Sequence, residues 1–257
     1  VYFYMEGYPL FEDQGLEYLF GVVYLDPEHG QEPIFKDFWA HSRIQEKKAF
    51  EAWIDWVYAR LRDNPTMHIY HYAAYEVTAM RRLSTQHATR EAEVDDLLRK
   101  NVFVDLYKIV VQSIVLGEPT YSIKNIEHLY GQKRDEEVTN AGDSMVEYAK
   151  YLANPDGEDW RCSAILRGIR DYNEVDCIST LKLTRWLRDL QSHSKLGYLP
   201  IGADETEVEQ PEVSAAATLA QKLLGELETV VTLSPDQRVQ KLLAELLEYH
   251  RREGKQY

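Results

Sequence analysis

The chain has 257 residues and a formal net charge of −14, from 29 lysines and arginines against 43 aspartates and glutamates. Hydrophobic residues make up 44% of the sequence, which is enough to build a core and excludes global disorder. No apolar run reaches the roughly 18 residues that a membrane-spanning helix requires, so we expect no contact with a membrane.

The acidic balance argues against a protein that coats nucleic acid passively, because phosphate-binding surfaces are usually basic. It is compatible with a metal-dependent nuclease, since divalent cations bound by carboxylates invert the local field. The two cysteines, Cys162 and Cys177, have no CxxC spacing, which argues against a disulfide scaffold and a structural zinc site. No leader precedes Val1, so we expect a cytoplasmic segment of a longer polypeptide.

The first part of the chain predicts a small antiparallel meander followed by a helix. Val1–Glu6, Leu16–Asp26 and Pro33–Trp39 are apolar or alternating runs of strand type, separated by short turns. From Ser42 the apolar residues recur at helical spacing, with charges between them. This pattern predicts a long amphipathic helix that ends near Asn64.

Strands and helices then alternate. His68–Tyr72 predicts a fourth strand, Ala73–Leu83 predicts a helix directly after it, and Val102–Val111 begins as a fifth strand before a helical turn. Three further helices are predicted over Ile123–Tyr130, Ser144–Leu152 and Tyr172–Leu190. This order is typical of an α/β fold in which helices flank a mixed five-stranded sheet.

A change of composition predicts a domain boundary near residue 196. We expect one α/β domain over residues 1–196, an acidic linker over residues 197–213, and a helical extension over residues 214–257 that leads toward the rest of a larger protein. Within the extension, Ser234-Pro235-Asp236-Gln237 favours a helix start, with serine as the N-cap and glutamine reaching back to it.

Four acidic residues stand at the ends of predicted elements, beside apolar or aromatic neighbours: Glu6, Glu76, Asp105 and Asp176. Acids in such places are either caps and surface groups, or they converge on a metal. Taken alone, Glu76 is explained by the helix dipole and Asp176 by a solvated helix start. Glu6 is unusual because strands rarely bury an unpaired charge, but an exposed acid at the Gly7 turn also explains it, and only the other two segments favour a function for it. Tyr172 lies four residues before Asp176, so both side chains project from one helix face.

The ordered set of these segments resembles a known family, the RNase H-like 3′→5′ exonucleases of the DnaQ type, which carry a DEDD set of carboxylates. More narrowly, it resembles the YprB-type domain of RecB-family nuclease and helicase fusions. The resemblance covers roughly residues 1–190. The segments that carry it are Phe3–Gly7, Tyr70–Glu76, Phe103–Tyr107, Tyr121–Glu127 and Tyr172–Cys177.

The resemblance implies an activity, a cofactor and a set of site residues. The activity is two-metal hydrolysis of phosphodiester bonds at the 3′ end of single-stranded DNA or RNA, in a nuclease–helicase that serves DNA repair. The cofactor is Mg²⁺ or Mn²⁺, with two ions about 4 Å apart. The implied metal ligands are Glu6, Glu76 and Asp176, while Tyr172 orients the attacking water. The implied supporting residue is Asp105. Apart from the resemblance, we expect His71 to be a structural hydrogen-bonding residue under the site and Lys124 to contact a phosphate of the substrate.

Tyr4 departs from the family pattern, because the resemblance implies an aspartate there that bridges both ions. A phenol with an ordinary pKa of about 10 is a poor substitute for a carboxylate. The domain is then inactive, or active with one ion or a shifted ligand, or it carries a substitution that blocks turnover. Two other interpretations stay open: a degraded module that binds nucleic acid or protein, and an unrelated α/β protein with acids on its surface.

Overall fold

A computed structural model of the chain describes residues 1–26, 30, 32–132, 141–194, 219, 222–223 and 234–247. The chain divides into two compact units, Val1–Leu196 and Gly197–Tyr257. The predicted acidic linker over residues 197–213 lies outside the described residues, as does most of the predicted helix that precedes residue 234.

The first unit is built on a mixed five-stranded sheet with the strand order β3-β2-β1-β4-β5. Strand β1 pairs antiparallel with β2, and β2 pairs antiparallel with β3. Strand β4 runs parallel to β1, and β5 runs parallel to β4. The strands are β1 (Tyr2–Tyr8), β2 (Leu16–Leu25), β3 (Pro33–Trp39), β4 (Ile69–His71) and β5 (Phe103–Asp105). The predicted meander and the predicted mixed sheet are both confirmed, and β1 is the central strand.

Strand β1 continues beyond its predicted end at Glu6, and its pairing with β2 shifts register between Glu6 and Gly7. Bulges of this kind re-aim side chains and are frequent beside active sites. A Cβ atom on Gly7 would lie 2.3 Å from Tyr75 Oη and 2.5 Å from Glu17 Oε2. Glycine at this position therefore lets two polar side chains approach the strand closely.

Helices flank the sheet. They are α1 (Arg43–Asp63), α2 (Tyr75–His87), α3 (Glu91–Arg99), α4 (Leu106–Ser113), α5 (Ile123–Ile126), α6 (Ala141–Ala153) and α7 (Ala164–Ser194), with a 3₁₀ turn over Glu127–Tyr130. Helix α3 is an addition to the predicted elements. Its two buried residues, Val94 and Leu97, give too short an apolar stripe to stand out in the sequence.

The segment that begins as the fifth strand turns helical after three residues. Asp105 ends β5 and is also the N-cap of α4, because its side chain accepts a hydrogen bond of 3.0 Å from the backbone N–H of Tyr107. The periodicity of an apolar run this short does not distinguish a buried strand from a buried helix. The cap residue decides where the strand ends.

Helix α7 begins at Ala164, well before the predicted start at Tyr172. Two caps fix this start. Ser163 Oγ accepts a hydrogen bond of 2.9 Å from the Leu166 backbone N–H, and the carboxylate of Asp156 accepts hydrogen bonds from the backbone N–H groups of Ala164, at 2.8 Å, and Ile165, at 3.2 Å. Asp176 consequently lies in the interior of a long helix. The expectation that it stands at the end of an element is wrong.

The two faces of β1 pack against different helices. Phe3 and Met5 belong to a buried cluster with Trp53 of α1, and the Phe3 and Trp53 ring centroids are 4.3 Å apart. Tyr2 and Tyr4 lie in a second cluster with residues of α7. Since alternate residues of a strand face the same way, Glu6 shares the face of Tyr4.

The second unit contains helix α8 (Pro235–Leu247). Ser234 Oγ accepts a hydrogen bond of 3.3 Å from the Gln237 backbone N–H, and Gln237 Oε1 accepts one of 2.9 Å from the Ser234 N–H. This reciprocal pair confirms the predicted helix start. Among the described residues, no helix has the length and apolar character needed to cross a membrane.

Candidate active site

Three predicted metal ligands are buried carboxylates from three different elements. Glu6 of β1 is 5% exposed, Glu76 in the first turn of α2 is 1% exposed, and Asp176 of α7 is fully buried. Burying an ionised carboxylate without compensation is costly, so folded proteins pair such groups, neutralise them or use them to bind cations.

Tyr4 is the common neighbour of these acids. Burial raises the pKa of Tyr4 well above its ordinary value, and the nearby Asp176, Glu6, Tyr172 and Glu76 raise it further. Such interactions weaken with distance, so these four side chains are near enough to Tyr4 for their charges to act on it. The phenol stays protonated at neutral pH and adds no negative charge to the cluster.

Glu6 is held by one of its two carboxylate oxygens. Ser144 Oγ, on α6, donates a hydrogen bond of 2.7 Å to Glu6 Oε2. Because the Ser144 proton points to Glu6, Tyr18 Oη is the donor in its 2.6 Å bond with Ser144 Oγ. Glu6 Oε1 has no hydrogen-bond partner within the described part of the chain. Burial and the charge of Asp176 raise the pKa of Glu6 to about 8, while the hydrogen bond from Ser144, the polar side chain of Asn173 and the charge of Lys124 oppose the rise.

Glu76 also carries an oxygen without a hydrogen bond. Its Oε2 atom has none among the residues that the structure describes, and it lies 3.7 Å from His71 Nδ1. Burial raises the pKa of Glu76 to about 8, while hydrogen bonds from the backbone N–H groups of Glu76 itself and of Met5 oppose the rise. His71 Nδ1 lies 2.7 Å from the Ala73 carbonyl oxygen, and burial lowers the pKa of this imidazole. A neutral His71 with Nδ1 protonated therefore braces the turn that leads into α2.

The remaining predicted residues lie beside the acids. Lys124 Nζ is 5.2 Å from the centroid of the Tyr172 ring, and its charge lowers the pKa of Glu6. Tyr172 precedes Asp176 by one turn of α7 and is itself buried. Asp105 Oδ1 accepts a hydrogen bond of 3.0 Å from the Ala73 backbone N–H, so it supports the same turn as His71.

Several polar residues of the site lie outside the sequence prediction. Glu17 of β2 is buried, and its carboxylate accepts a hydrogen bond of 2.8 Å from Tyr75 Oη and another from the Arg82 guanidinium. The sequence did contain a signal for Glu17, because a charged residue inside an otherwise apolar strand indicates a buried polar site. Ser144 and Tyr18 reach Glu6 through contacts between distant parts of the chain, which no local pattern reveals.

A cavity of about 470 Å³ opens beside the acids. Glu6, Glu17 and Glu76 line it together with Arg82. Tyrosines form much of the remaining wall: Tyr4, Tyr8, Tyr72 and Tyr75. Asp176 and Tyr172 are not among the described residues that line it. The cavity is therefore acidic and aromatic, and it presents two of the three predicted ligands.

The donor chemistry fits a hard divalent cation. Mg²⁺ and Mn²⁺ prefer carboxylate oxygens and water, and Glu6 and Glu76 each bury an oxygen that a cation would satisfy. Over the described ranges, however, no group of three or more His, Cys, Asp and Glu side chains is arranged to hold a metal. The fit is therefore one of donor type, since carboxylate oxygens suit these ions.

Comparison with known proteins identifies the fold family. A family model described as the RNase H superfamily matches residues 1–188, which is most of the chain. No curated protein and no solved structure is similar enough to count as a match. The family match excludes the interpretation of an unrelated α/β protein. It agrees with the mixed five-stranded sheet and its flanking helices, and the chain belongs to the RNase H superfamily.

Proposed function

We propose that this chain is a 3′→5′ exonuclease domain that hydrolyses phosphodiester bonds of single-stranded nucleic acid with Mg²⁺ or Mn²⁺. One observation carries the proposal: Glu6 and Glu76 are both buried and both line the same cavity, and each has an oxygen without a hydrogen-bond partner in the described residues. A stable fold has little reason to keep such oxygens unless a cation satisfies them. Membership of the RNase H superfamily supports a nuclease-like activity.

The bound metal would act as a Lewis acid and lower the pKa of a bound water. Glu6 and Glu76 would hold it at the cavity, and Asp176 is the third donor that the resemblance implies. Ser144 fixes one oxygen of Glu6 and leaves the other for the ion. Tyr172 would hold the attacking water through its hydroxyl group, one helical turn from Asp176.

The surroundings of the acids favour a nucleic-acid substrate. Lys124 lies beside Tyr172 and supplies a positive charge for a phosphate group. The tyrosines of the cavity wall offer flat faces on which bases of a single strand can stack. We propose DNA as the substrate and the rest of a larger nuclease–helicase polypeptide as the partner.

The test is digestion of single-stranded DNA labelled at either the 3′ or the 5′ end, with Mg²⁺ or Mn²⁺. We expect early loss of the 3′ label alone, and faster loss with a Tyr4→Asp variant, because the substitution supplies a carboxylate. Glu6→Gln in the Tyr4→Asp background is the control, and it should abolish the loss. If neither the natural chain nor Tyr4→Asp degrades either substrate, the proposed activity is wrong.

The second candidate function is a module that binds single-stranded nucleic acid without cleaving it. The protonated phenol of Tyr4 among the acids, in a site with no ready group of three ligands in its described part, favours this candidate. Fluorescence anisotropy with a labelled oligonucleotide separates the two. Binding that persists in EDTA, together with an intact oligonucleotide in Mn²⁺, would support the binding module.

A further inference from the structure

We propose that Arg185 and Arg188 of α7, beside Tyr70 of β4, bind the phosphodiester backbone of single-stranded nucleic acid at a surface separate from the acids. The nature of the ligand rests on the proposed function, which brings a nucleic-acid strand to this domain. This arginine surface gives the strand a second point of contact, at the opposite end of β1 from Glu6.

Helix α7 places the two arginines beside the start of β1. Leu181 of α7 belongs to the same buried cluster as Tyr2, the first residue of the strand. Arg185 and Arg188 follow Leu181 by four and seven residues, so they continue the helix face that packs against the sheet. Both arginines are nevertheless exposed. The packed face of α7 thus becomes a charged surface where the strand begins.

Arg188 is held against a pair of aromatic rings. Its Nη2 atom donates a hydrogen bond of 2.8 Å to Tyr70 Oη, and its Cζ atom lies 5.8 Å from the centroid of that ring. Tyr70 stacks on Tyr2, with ring centroids 5.3 Å apart. Burial and Tyr70 raise the pKa of Tyr2, while the charges of Arg188 and Arg185 oppose the rise. Both guanidinium groups are therefore near enough to Tyr2 to act on it.

The positive charge of these arginines is available to a ligand. From residue 182 to residue 194, α7 has three lysines and arginines against one acid, Asp189, in a chain whose net charge is −14. Within the described ranges, neither Arg185 nor Arg188 forms an ion pair with a carboxylate. Arg82, by contrast, pairs with a carboxylate. The arginine surface is therefore a local basic region of an acidic protein.

A single strand of nucleic acid fits both the chemistry and the position of this surface. Guanidinium groups bind phosphate oxygens through parallel N–H donors. Tyr2 and Glu6 are four residues apart on β1, which corresponds to about 13 Å. Sites for single strands commonly cover about 4–16 nucleotides, and stacked nucleotides are spaced about 3.4 Å apart. A strand whose end lies at the acids is therefore long enough to reach the arginines.

The test is fluorescence anisotropy of the full chain with a labelled single-stranded oligonucleotide of about 16 nucleotides, in EDTA. The double substitution Arg185→Gln, Arg188→Gln should reduce the slope of log Kd against log salt by about 1.4, because each phosphate contact contributes about 0.7. This change corresponds to roughly 25-fold weaker binding at about 0.1 M salt.

The control is the double substitution Arg99→Gln, Lys100→Gln, which removes the same charge from exposed residues at the end of α3. It should leave the slope unchanged. Circular dichroism of both variants checks that they fold. Poly-glutamate serves as a competitor without phosphates or bases, and it should displace the oligonucleotide far less well than unlabelled oligonucleotide does at equal charge.

Equal slopes for the natural chain and the Arg185→Gln, Arg188→Gln variant would overturn the inference, and so would absence of oligonucleotide binding. Equal competition by poly-glutamate would also overturn it, because the surface would then recognise acidic groups in general. Digestion of end-labelled DNA decides the proposed function separately. Cleavage with equal slopes keeps the function without the arginine surface, whereas a reduced slope without cleavage keeps the surface and rejects the activity.

Discussion

Ser144 Oγ donates a hydrogen bond of 2.7 Å to Glu6 Oε2, and this bond joins helix α6 to strand β1 across 138 positions of the sequence. Tyr18 of β2 donates a hydrogen bond of 2.6 Å to the same serine, so the Ser144 hydroxyl joins three elements. All three side chains are buried. The carboxylate is thereby fixed in orientation, with its second oxygen left for another partner.

Replacing Ser144 by alanine should lower the free energy of unfolding by about 1–3 kcal/mol, because a buried acceptor on Glu6 and the donor of Tyr18 both lose their partner. Urea denaturation monitored by tryptophan fluorescence measures the change. Ser192→Ala is the matched control. Ser192 is an exposed serine of α7 that donates a hydrogen bond of 2.9 Å to the Arg188 carbonyl oxygen. It should change stability by less than about 0.5 kcal/mol. Equal effects of the two substitutions would contradict the role of Ser144.

Gly21 of β2 makes room for Asn173 of α7. A Cβ atom on Gly21 would lie 1.6 Å from Asn173 Oδ1, and Asn173 Nδ2 donates a hydrogen bond of 3.2 Å to the Tyr4 carbonyl oxygen. Gly21→Ala should therefore displace Asn173 and cost about 1–3 kcal/mol of stability. Thermal unfolding followed by circular dichroism measures it.

The control for this prediction is Gly168→Ala on the same helix. A Cβ atom on Gly168 would meet nothing within 4 Å, and alanine is favoured over glycine in a helix by about 1 kcal/mol. Gly168→Ala should raise the melting temperature while Gly21→Ala lowers it. A Gly21→Ala variant that melts at the temperature of the natural chain would show that α7 is not seated on β2 as described.

The sheet could be predicted from the sequence because its signals are local. The segments of the first three strands are alternating or continuous apolar runs separated by short turns, and β1 to β3 form the predicted meander. The resemblance supplied the superfamily, which the family match confirms for residues 1–188. The narrower YprB-type assignment stays a prediction. Helix α7 was predicted too short because the prediction missed its serine cap, Ser163, and because its second cap, Asp156, lies in the loop before the helix.

The acids of the site could be found from the sequence, but their surroundings could not. Glu6 and Glu76 stand out because acids interrupt apolar segments, and the order of the motifs connects them. Ser144, Tyr18 and Glu17 act through contacts between residues far apart in the chain, and a single sequence carries no signal of such pairs. The consequence of Tyr4 likewise depends on its neighbours, since burial beside acids keeps the phenol protonated.

Lys124 gives a prediction about substrate binding. If its ammonium group contacts a phosphate, Lys124→Gln should weaken binding of a single-stranded oligonucleotide about 3–10-fold and reduce the slope of log Kd against log salt by about 0.7. Lys48→Gln, which removes an exposed lysine on α1, is the control and should leave the slope unchanged. Anisotropy titrations at several salt concentrations give both values. If the natural chain and Lys124→Gln give identical slopes, Lys124 does not contact a phosphate of the substrate.

The raised pKa values of Glu6 and Glu76 predict how stability depends on pH in the absence of metal. Both groups titrate near pH 8 in the folded chain, against an ordinary value of 4.5. Between these values the folded state holds protons that the unfolded state has released, so stability should fall as the pH rises from about 5 to about 8. Below this window both states are protonated, and above it both are ionised.

Glu6→Gln should flatten this dependence, because glutamine does not titrate. We expect its melting temperature in EDTA to exceed that of the natural chain by at least about 2–4 °C at about pH 8, and by less at about pH 5. Asp55→Asn is the control, since the hydrogen bond from Arg90 lowers the pKa of Asp55 and keeps its titration outside the window. Mn²⁺ should restore the stability of the natural chain at about pH 8 but not raise that of Glu6→Gln. If the melting temperature of the natural chain in EDTA rises from about pH 5 to about pH 8, the prediction is wrong. These carboxylates would then ionise without a loss of stability, and no cation would be needed to stabilise them.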